Sequence, residues 1–240
     1  MRYEIPFNDV PYIYDYTTVL DTFVKRLIEK QANNIKAILL TGSYARGDAT
    51  RSSDLDVLCL FQKIDYSILT LVGQLVRSLP IPYDCLEINP QCLTLAEFEC
   101  GHFSNFFPPS IINLESILLY GSYSPHDLSS SEIETVYKKI LAEVLLSVRH
   151  YICVNEAKAN LSYGKLTGFI LKPLMFALRL KRFLHTGTYP LSTKNLLEAC
   201  ENDYTVLVDW YLRKDLLEKE ISENHHRALT TMSDLIEKLL

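Results

Sequence analysis

Apolar and polar positions follow two different patterns along the chain. In the first hundred residues, apolar side chains recur every three to four positions over 17–34 and 65–78, which predicts two helices. Three short apolar runs lie between turn-forming residues and predict strands: 36–41, 54–61 and 83–89. Helices and strands therefore alternate in this half, as expected of a small mixed sheet flanked by helices.

Beyond Pro108 and Pro109 the pattern is helical throughout. The predicted helices cover residues 111–120, 130–154, 167–185, 193–201, 204–219 and 222 to the carboxyl end. The proline pair and the turn that begins at Gly121 interrupt the periodicity, so we expect a domain boundary in this region. The predicted fold class is α+β, with a sheet domain over residues 1–108 and a helical bundle over residues 109–240.

Composition indicates an ordinary soluble protein. The 240 residues are 48% hydrophobic, which is enough to bury a core in one large or two small domains. No apolar run reaches the roughly 18 residues of a membrane-spanning helix, so no membrane partner is expected. The amino terminus lacks the apolar segment of a signal peptide, and the six cysteines form no CxxC pair. We therefore expect a cytoplasmic protein with reduced thiols.

The formal net charge of −5 narrows the possible partners. A protein built mainly to hold nucleic acid usually carries a basic patch, so the charge argues against that class. Any nucleotide would have to be bound by a few well-placed groups and by metal.

One segment, TGSYARGDATRSSDLD over residues 41–56, carries the candidate chemistry. Alternate residues of a strand face the same side, so Asp54 and Asp56 would project together, about 6.5 Å apart along the backbone. Two such carboxylates offer the oxygen ligands that Mg²⁺ prefers, and two metal ions can hold the attacking and leaving oxygens of a displacement. The acid pair is therefore a candidate metal site.

Gly42 and Ser43 follow the first predicted strand. A glycine there lets the backbone approach a ligand closely, and the following amides and the Ser43 hydroxyl can face a phosphate. A second turn at Gly47 would return the chain to the acid pair, so the two features would meet at one end of the sheet. Each feature alone is commonly a plain turn or a solvated strand edge, and only their conjunction carries the argument.

Gly42-Ser43, ten intervening residues and Asp54-Leu-Asp56 together resemble the signature of DNA polymerase beta-like nucleotidyltransferases. In length and in its helical second half, the chain looks most like the aminoglycoside adenylyltransferases of that superfamily. The resemblance implies a nucleotidyltransferase domain over residues 1–108 and ATP as the substrate. It also implies that Asp54 and Asp56 hold two Mg²⁺ ions while a nucleoside monophosphate is transferred to an acceptor hydroxyl and pyrophosphate is released.

The superfamily carries a third acid on a neighbouring strand, where it serves as general base. Asp84 and Glu87 are the candidates, and on one strand they would point to opposite faces. Asp84 is preferred because it follows Pro82-Tyr83 as the third acid follows a Pro-x pair in aminoglycoside adenylyltransferases. The alternative is that Asp84 is a surface acid on a short edge strand.

The helical half offers a second similarity. Arg179, the Thr-Gly turn at Gly187 and Lys194 are similar to the helix, turn and lysine with which those enzymes contact nucleotide phosphates. The resemblance therefore implies phosphate contacts by Arg179 and Lys194, in an active site between the two domains. A solvated basic helix face is the plain alternative.

No motif names the acceptor. The resemblance implies a small hydroxylated, antibiotic-like molecule. The same spacing is also that of minimal antitoxins that adenylylate a HEPN toxin protein, although those are generally shorter than this chain. Arg179 and His185 match the Arg-x5-His pattern of HEPN ribonucleases, but one such pair on a helix arises easily by chance. A non-catalytic nucleotide-binding regulator is a third possibility, against which the intact acid pair argues.

Overall fold

The computed structural model describes residues 16–49, 53–79, 87–101, 109–124, 129–158, 162–200 and 202–240. It divides the chain into two compact units, Met1–Asp127 and Leu128–Leu240. The first unit contains a four-stranded mixed sheet packed against helices, and the described part of the second unit is helical. The predicted α+β fold class is confirmed.

Four strands form the sheet of the first unit: β1 (Ile35–Leu40), β2 (Leu55–Phe61), β3 (Ile88–Thr94) and β4 (Ile117–Gly121). Their order in the sheet is β3-β2-β1-β4. β1 is antiparallel to both β2 and β4, whereas β2 and β3 are parallel. Because parallel strands start at the same edge of a sheet, residues at the start of β3 lie beside those at the start of β2.

Five helices are described in the same unit: α1 (Tyr16–Gln31), α2 (Gly42–Arg46), α3 (Tyr66–Arg77), α4 (Leu95–Glu99) and α5 (Pro109–Glu115). α1 and α3 are amphipathic, and the carboxylate of Asp65 caps α3 by accepting a hydrogen bond from the Ile68 amide at 3.0 Å. α2 lies between β1 and the turn predicted at Gly47, where the sequence predicted no helix.

The sheet buries apolar side chains on both faces because residues alternate along each strand. The first face packs against α1 and α3 through Ile38, Leu40, Val57, Cys59, Phe23 and Val72. The second face packs against α4 and α5 through Ala37, Leu39, Leu58, Leu60, Phe98 and Ile112. Each fully buried leucine or phenylalanine contributes about 1.5–3 kcal/mol. Asp54 and Asp56 alternate in step with Leu58, so they project from the second face, just before its core begins.

The predicted helix over 111–120 is wrong in its second half. α5 ends at Glu115, and β4 follows as an edge strand paired with β1. A short apolar run fits either a buried helix or a strand, and its long-range partner decides the outcome. β1 and β4 can pair here because Gly121 has no side chain. A Cβ atom at this position, where φ is 76°, would overlap the Lys36 carbonyl. The first unit consequently extends beyond residue 108.

The third predicted strand, 83–89, is displaced toward the carboxyl end. β3 covers Ile88–Thr94, and residues 80–86 lie outside the described part of the chain. The sequence pattern did not indicate this strand, because its residues Asn89, Pro90 and Gln91 have low strand propensity. Pro90 is tolerated because β3 is an edge strand.

The second unit is built on two long helices, α6 (Ser130–Lys158) and α11 (Lys214–Leu239). A hydrogen bond connects them, in which the Tyr137 hydroxyl donates to the Leu239 carbonyl at 2.8 Å. The shorter helices are α7 (Tyr163–Leu166), α8 (Lys172–Thr186), α9 (Thr193–Ala199) and α10 (Thr205–Leu212), with a π-helical turn at Thr167–Leu171. The helix predicted over 204–219 is interrupted at Arg213, and α11 is kinked at Asn224, whose φ of −161° and ψ of 83° are not helical, close to the predicted break near 220. In the described part of the chain, every helix is too short or too polar to cross a bilayer.

Candidate active site

The chain leaves β1 in a conformation tied to the acid-bearing strand. The Thr41 amide donates to the Asp56 carbonyl at 2.9 Å, and the Thr41 hydroxyl lies 3.3 Å from the same oxygen. Gly42 then begins α2, and Gly47, with φ of 74°, ends it. The sequence placed a turn at each of these glycines, and the structure has a short helix between them.

Gly42 lies directly against the carboxylate of Asp56. Its φ is 70°, and a Cβ atom added to it would lie 3.0 Å from Cγ of Asp56 and nearer still to Oδ2. The structure thus brings together the Gly-Ser turn and the acid pair at one end of the sheet. Ser43, which follows Gly42 in α2, is partly exposed.

Asp56 receives a hydrogen bond from the neighbouring strand. Asn89 is its register partner on β3, and the Asn89 Nδ2 donates to Asp56 Oδ1 at 3.0 Å. Gln91 Nε2 in turn donates to Asn89 Oδ1 at 3.2 Å. Asn89 could not be identified from the sequence, because the register of a parallel pair is a long-range property that no local pattern contains.

Asp54 is exposed, and its charge acts on a buried phenol beneath the site. Burial, and then the neighbouring carboxylate of Asp54, raises the pKa of Tyr44. The Tyr44 ring packs against that of Tyr16, with 4.7 Å between the ring centroids. Tyr44 lies in the segment 41–56, but its spacing from Asp54 along the sequence does not indicate that the two side chains are close.

The two candidates for the third acid differ in what the structure describes of them. Asp84 lies outside the described residues, so its assignment stays a prediction. Glu87 immediately precedes Ile88, the register partner of Leu55, and its carbonyl accepts from the Leu55 amide at 2.9 Å. Asp54 and Glu87 therefore each stand one residue before the first register pair of two parallel strands.

Arg46 is engaged within the first unit. Its guanidinium lies 3.5 Å from Asp48 and 3.1 Å from Glu115, and all three side chains are at most 13% exposed. These contacts join the end of α2 to the end of α5. The positive charge of Arg46 is thus balanced by two carboxylates.

The donor chemistry of the acid pair suits a hard cation. Mg²⁺ commonly takes one or two carboxylates and completes its shell with phosphate oxygens and water, so two acids without a thiol or imidazole fit it. Among the described residues, no group of three or more histidine, cysteine, aspartate or glutamate side chains is arranged to hold a metal. Asp54 and Asp56 remain the candidate ligands.

In the second unit, Arg179 is 4% exposed and hydrogen-bonded. Its Nε donates to the Pro190 carbonyl at 3.2 Å, and its Nη2 donates to the Thr193 hydroxyl at 3.0 Å. Lys194 follows Thr193 in the first turn of α9 and is exposed. The side chain of Arg179 thus reaches the start of α9, where Lys194 also lies, and it holds this part of the fold together.

Comparison with known proteins agrees with the motif. Residues 20–113 match the model of the nucleotidyltransferase domain family. A protein of Methanocaldococcus jannaschii, whose role as a protein adenylyltransferase is itself a proposal, is 56% identical over 36 residues, covering 15% of this chain and 36% of that protein. The match thus spans about a third of that relative's length.

Spectinomycin adenyltransferase from Enterococcus faecialis, solved with ATP and spectinomycin, shares the fold. Its TM-score to this chain is 0.53 at 13% identity, and the alignment covers 92% of this chain and 99% of that chain. The similarity therefore extends through the helical unit. The predicted resemblance to nucleotidyltransferases, and in layout to aminoglycoside adenylyltransferases, is confirmed.

Proposed function

We propose that this chain, whose residues 20–113 match the nucleotidyltransferase domain family, transfers a nucleoside monophosphate, AMP from ATP, to an acceptor hydroxyl and releases pyrophosphate. The position of Asp56 carries the proposal. Its carboxylate lies between the backbone of Gly42 and the amide of Asn89, at the sheet edge where Asp54 also projects. A carboxylate fixed in this way is more typical of a metal ligand than of an acid on a solvated strand edge.

In the proposed site, Asp54 and Asp56 would hold magnesium, and Gly42 and Ser43 would face the triphosphate. Bound Mg²⁺ would offset the negative charge of the phosphate oxygens. The close contact of Gly42 with Asp56 supports this arrangement, since any larger residue would separate the phosphate loop from the acids. Arg179 and Lys194 are proposed as further phosphate contacts, on the strength of the resemblance.

The reaction that fits these groups is an in-line displacement at phosphorus. The acceptor hydroxyl oxygen forms a bond to the α-phosphorus, the bond from that phosphorus to the bridging oxygen breaks, and pyrophosphate leaves. The hydroxyl proton passes to a carboxylate. Glu87 is supported as this base because Glu87 and Asp54 each stand one residue before the first register pair, Ile88 and Leu55, of two parallel strands. Asp84 is the base that the resemblance implies.

A small hydroxylated molecule is the acceptor we propose. The support is the fold shared with spectinomycin adenyltransferase through 92% of this chain, including the helical unit. A protein acceptor, such as a HEPN toxin, is the second candidate. The local match to the Methanocaldococcus jannaschii protein favours it, although that match covers only 36 residues.

The test is transfer from each of the four nucleoside triphosphates, labelled on the α-phosphate, with Mg²⁺ and a panel of acceptors. The panel contains spectinomycin, other aminoglycosides and the chain itself, and products are identified by mass spectrometry. We expect one acceptor to gain the mass of a nucleoside monophosphate, with ATP preferred. The Asp54→Asn/Asp56→Asn double variant is the control. The absence of product and of pyrophosphate release with every triphosphate would contradict the proposal.

A further inference from the structure

Asn89 and Gln91 form a short relay of hydrogen bonds that ends on Asp56. Gln91 Nε2 donates to Asn89 Oδ1 at 3.2 Å, and Asn89 Nδ2 donates to Asp56 Oδ1 at 3.0 Å. Both residues lie on β3, and Asn89 is the direct register partner of Asp56. The relay therefore runs along one strand and crosses to the next at the candidate metal ligand.

The relay has a defined direction. An amide side chain carries one acceptor oxygen and one donor nitrogen. Because Gln91 donates to the oxygen of Asn89, the nitrogen of Asn89 is the atom that faces Asp56, and it can only donate. A donor at this place occupies one side of Asp56 Oδ1 and so fixes the orientation of the carboxylate.

The two oxygens of Asp56 lie in different surroundings. Oδ1 accepts from Asn89, whereas Oδ2 is the oxygen nearest to the backbone of Gly42. The carboxylate is thus fixed on one side by a hydrogen bond and on the other by a backbone without a side chain. Hydrogen bonds of this kind orient metal ligands in many proteins.

We propose that Asn89 is a positioning residue that acts through Asp56, and that Gln91 supports it. Asn89 would hold the Asp56 carboxylate in the orientation that binds a divalent cation, without adding a third negative charge beside Asp54 and Asp56. The inference rests on the proposed function, since it takes Asp56 as a metal ligand.

Asn89 is exposed, so its role can be separated from folding. Truncating it removes no buried packing, and we expect Asn89→Ala to fold with an unchanged circular dichroism spectrum. Asn113→Ala is the matched control, because Asn113 is also exposed in the same unit and accepts a side-chain hydrogen bond from Tyr123. Gln91→Ala tests the outer end of the relay.

The primary measurement is the dissociation constant for Mn²⁺, followed by electron paramagnetic resonance on the protein without nucleotide. Mn²⁺ takes the same oxygen ligands as Mg²⁺. Loss of a group that orients a metal ligand typically weakens binding about 10- to 100-fold, so we expect roughly a tenfold weaker constant in Asn89→Ala. Gln91→Ala should change it in the same direction by less, and Asn113→Ala should not change it.

The second measurement separates positioning from general disruption. In the transfer assay, Asn89→Ala should raise the Mg²⁺ concentration for half-maximal rate while the rate at saturating Mg²⁺ stays near the wild-type value. If wild-type protein binds Mn²⁺ and Asn89→Ala binds it equally well, the positioning role is wrong and the proposed function stands. If wild-type protein binds no Mn²⁺, or if Asp54→Asn and Asp56→Asn leave its binding unchanged, both ideas fail.

Discussion

The backbone of Gly42 lies against the side chain of Asp56, although the two residues belong to different elements of the sheet domain. A Cβ atom on Gly42 would lie 3.0 Å from Cγ of Asp56. Gly42 also has φ of 70°, a conformation that residues with a side chain rarely adopt. Glycine is required here for its backbone conformation and for the space it leaves to an acid of the proposed site.

These two reasons can be separated by comparing Gly42→Ala with Gly187→Ala. Gly187 has the same φ of 70°, but a Cβ atom there would meet nothing within 4 Å. Both variants should lose about 1–2 kcal/mol of unfolding free energy from the backbone conformation. Only Gly42→Ala should displace Asp56, and a displaced catalytic group costs about a hundredfold in rate. Urea denaturation and the transfer assay measure the two effects, and equal activity of both variants would contradict this account.

The acid pair is tested by Asp54→Asn and Asp56→Asn. Each change removes a negative charge that would bind magnesium, so we expect at least a roughly hundredfold loss of metal-dependent transfer. Unfolding free energy should change little, because Asp54 is exposed and Asp56 is partly exposed. Asp65→Ala is the control, since it removes the oxygen that caps α3 and should lower stability without affecting transfer. Near-normal turnover in either variant of the pair would remove the assignment.

Glu87→Gln and Asp84→Asn decide which acid is the base. The strand register favours Glu87, so we expect Glu87→Gln to bind nucleotide and Mg²⁺ normally while the maximal rate falls about 100-fold or more. Asp84→Asn should then retain most of its activity. Rates at saturating substrate, with nucleotide affinity measured separately, distinguish the two. The opposite result would restore the assignment that the resemblance to aminoglycoside adenylyltransferases implies.

Local patterns predicted the elements whose side chains alternate strongly. α1, β1, β2 and α3 lie within a few residues of their predicted positions, because each carries a clear helical or strand period. β4 was mistaken for helix because only its pairing with β1 makes it a strand. β3 was displaced because Pro90 and its polar neighbours weaken the strand signal, although an edge position tolerates them.

The same distinction holds for the candidate site. Gly42, Asp54 and Asp56 could be named from their spacing, since a motif lies within one continuous segment. The contact of Asn89 with Asp56 depends on the register of β3, and the pairing of Arg46 with Glu115 depends on the position of α5. Such contacts between distant segments follow from the packed fold, and no local spacing indicates them.

Tyr44 should make the protein sensitive to alkaline pH. Burial, and then the charge of Asp54, raises the pKa of its phenol above the usual 10.0. The unfolded chain therefore ionises this phenol at a lower pH than the folded protein does. The contribution of the neutral phenol to stability is full below about pH 10 and is lost as the pH rises through the folded pKa.

Tyr44→Phe should consequently flatten the fall of unfolding free energy that begins near pH 10 and continues as the pH rises through the folded pKa. Asp54→Asn should flatten it partly, because it removes the second of the two causes. Urea denaturation at several pH values measures the slope. Tyr66→Phe is the control, since Tyr66 is 86% exposed and lies on the surface of α3. A slope in Tyr44→Phe equal to that of the wild type would show that this phenol does not titrate as described.

The charge of a bound triphosphate is the reason to test two cations of the second unit. A bound triphosphate brings about four negative charges, which two magnesium ions offset only in part while the acid pair adds two more. Arg46 is already balanced by Asp48 and Glu115. Arg51, in the same segment, lies outside the described residues, and Arg179 and Lys194 are the further cations that the resemblance to adenylyltransferases implies.

Arg179→Ala should weaken the binding of a non-hydrolysable ATP analogue by about 1.5–3 kcal/mol, the range for hydrogen bonds to charged groups, as measured by calorimetry. It should also lower the unfolding free energy, because the guanidinium is buried and bonded to Pro190 and Thr193. Thr193→Val separates the two effects: it removes the hydroxyl partner but keeps the cation, so it should reduce stability while leaving affinity within about twofold. Lys194→Ala, at an exposed position, should weaken binding less than Arg179→Ala and leave stability unchanged. If Arg179→Ala loses stability but binds the analogue as tightly as the wild type, the arginine only fastens the start of α9 to α8, and the phosphates are held by other groups.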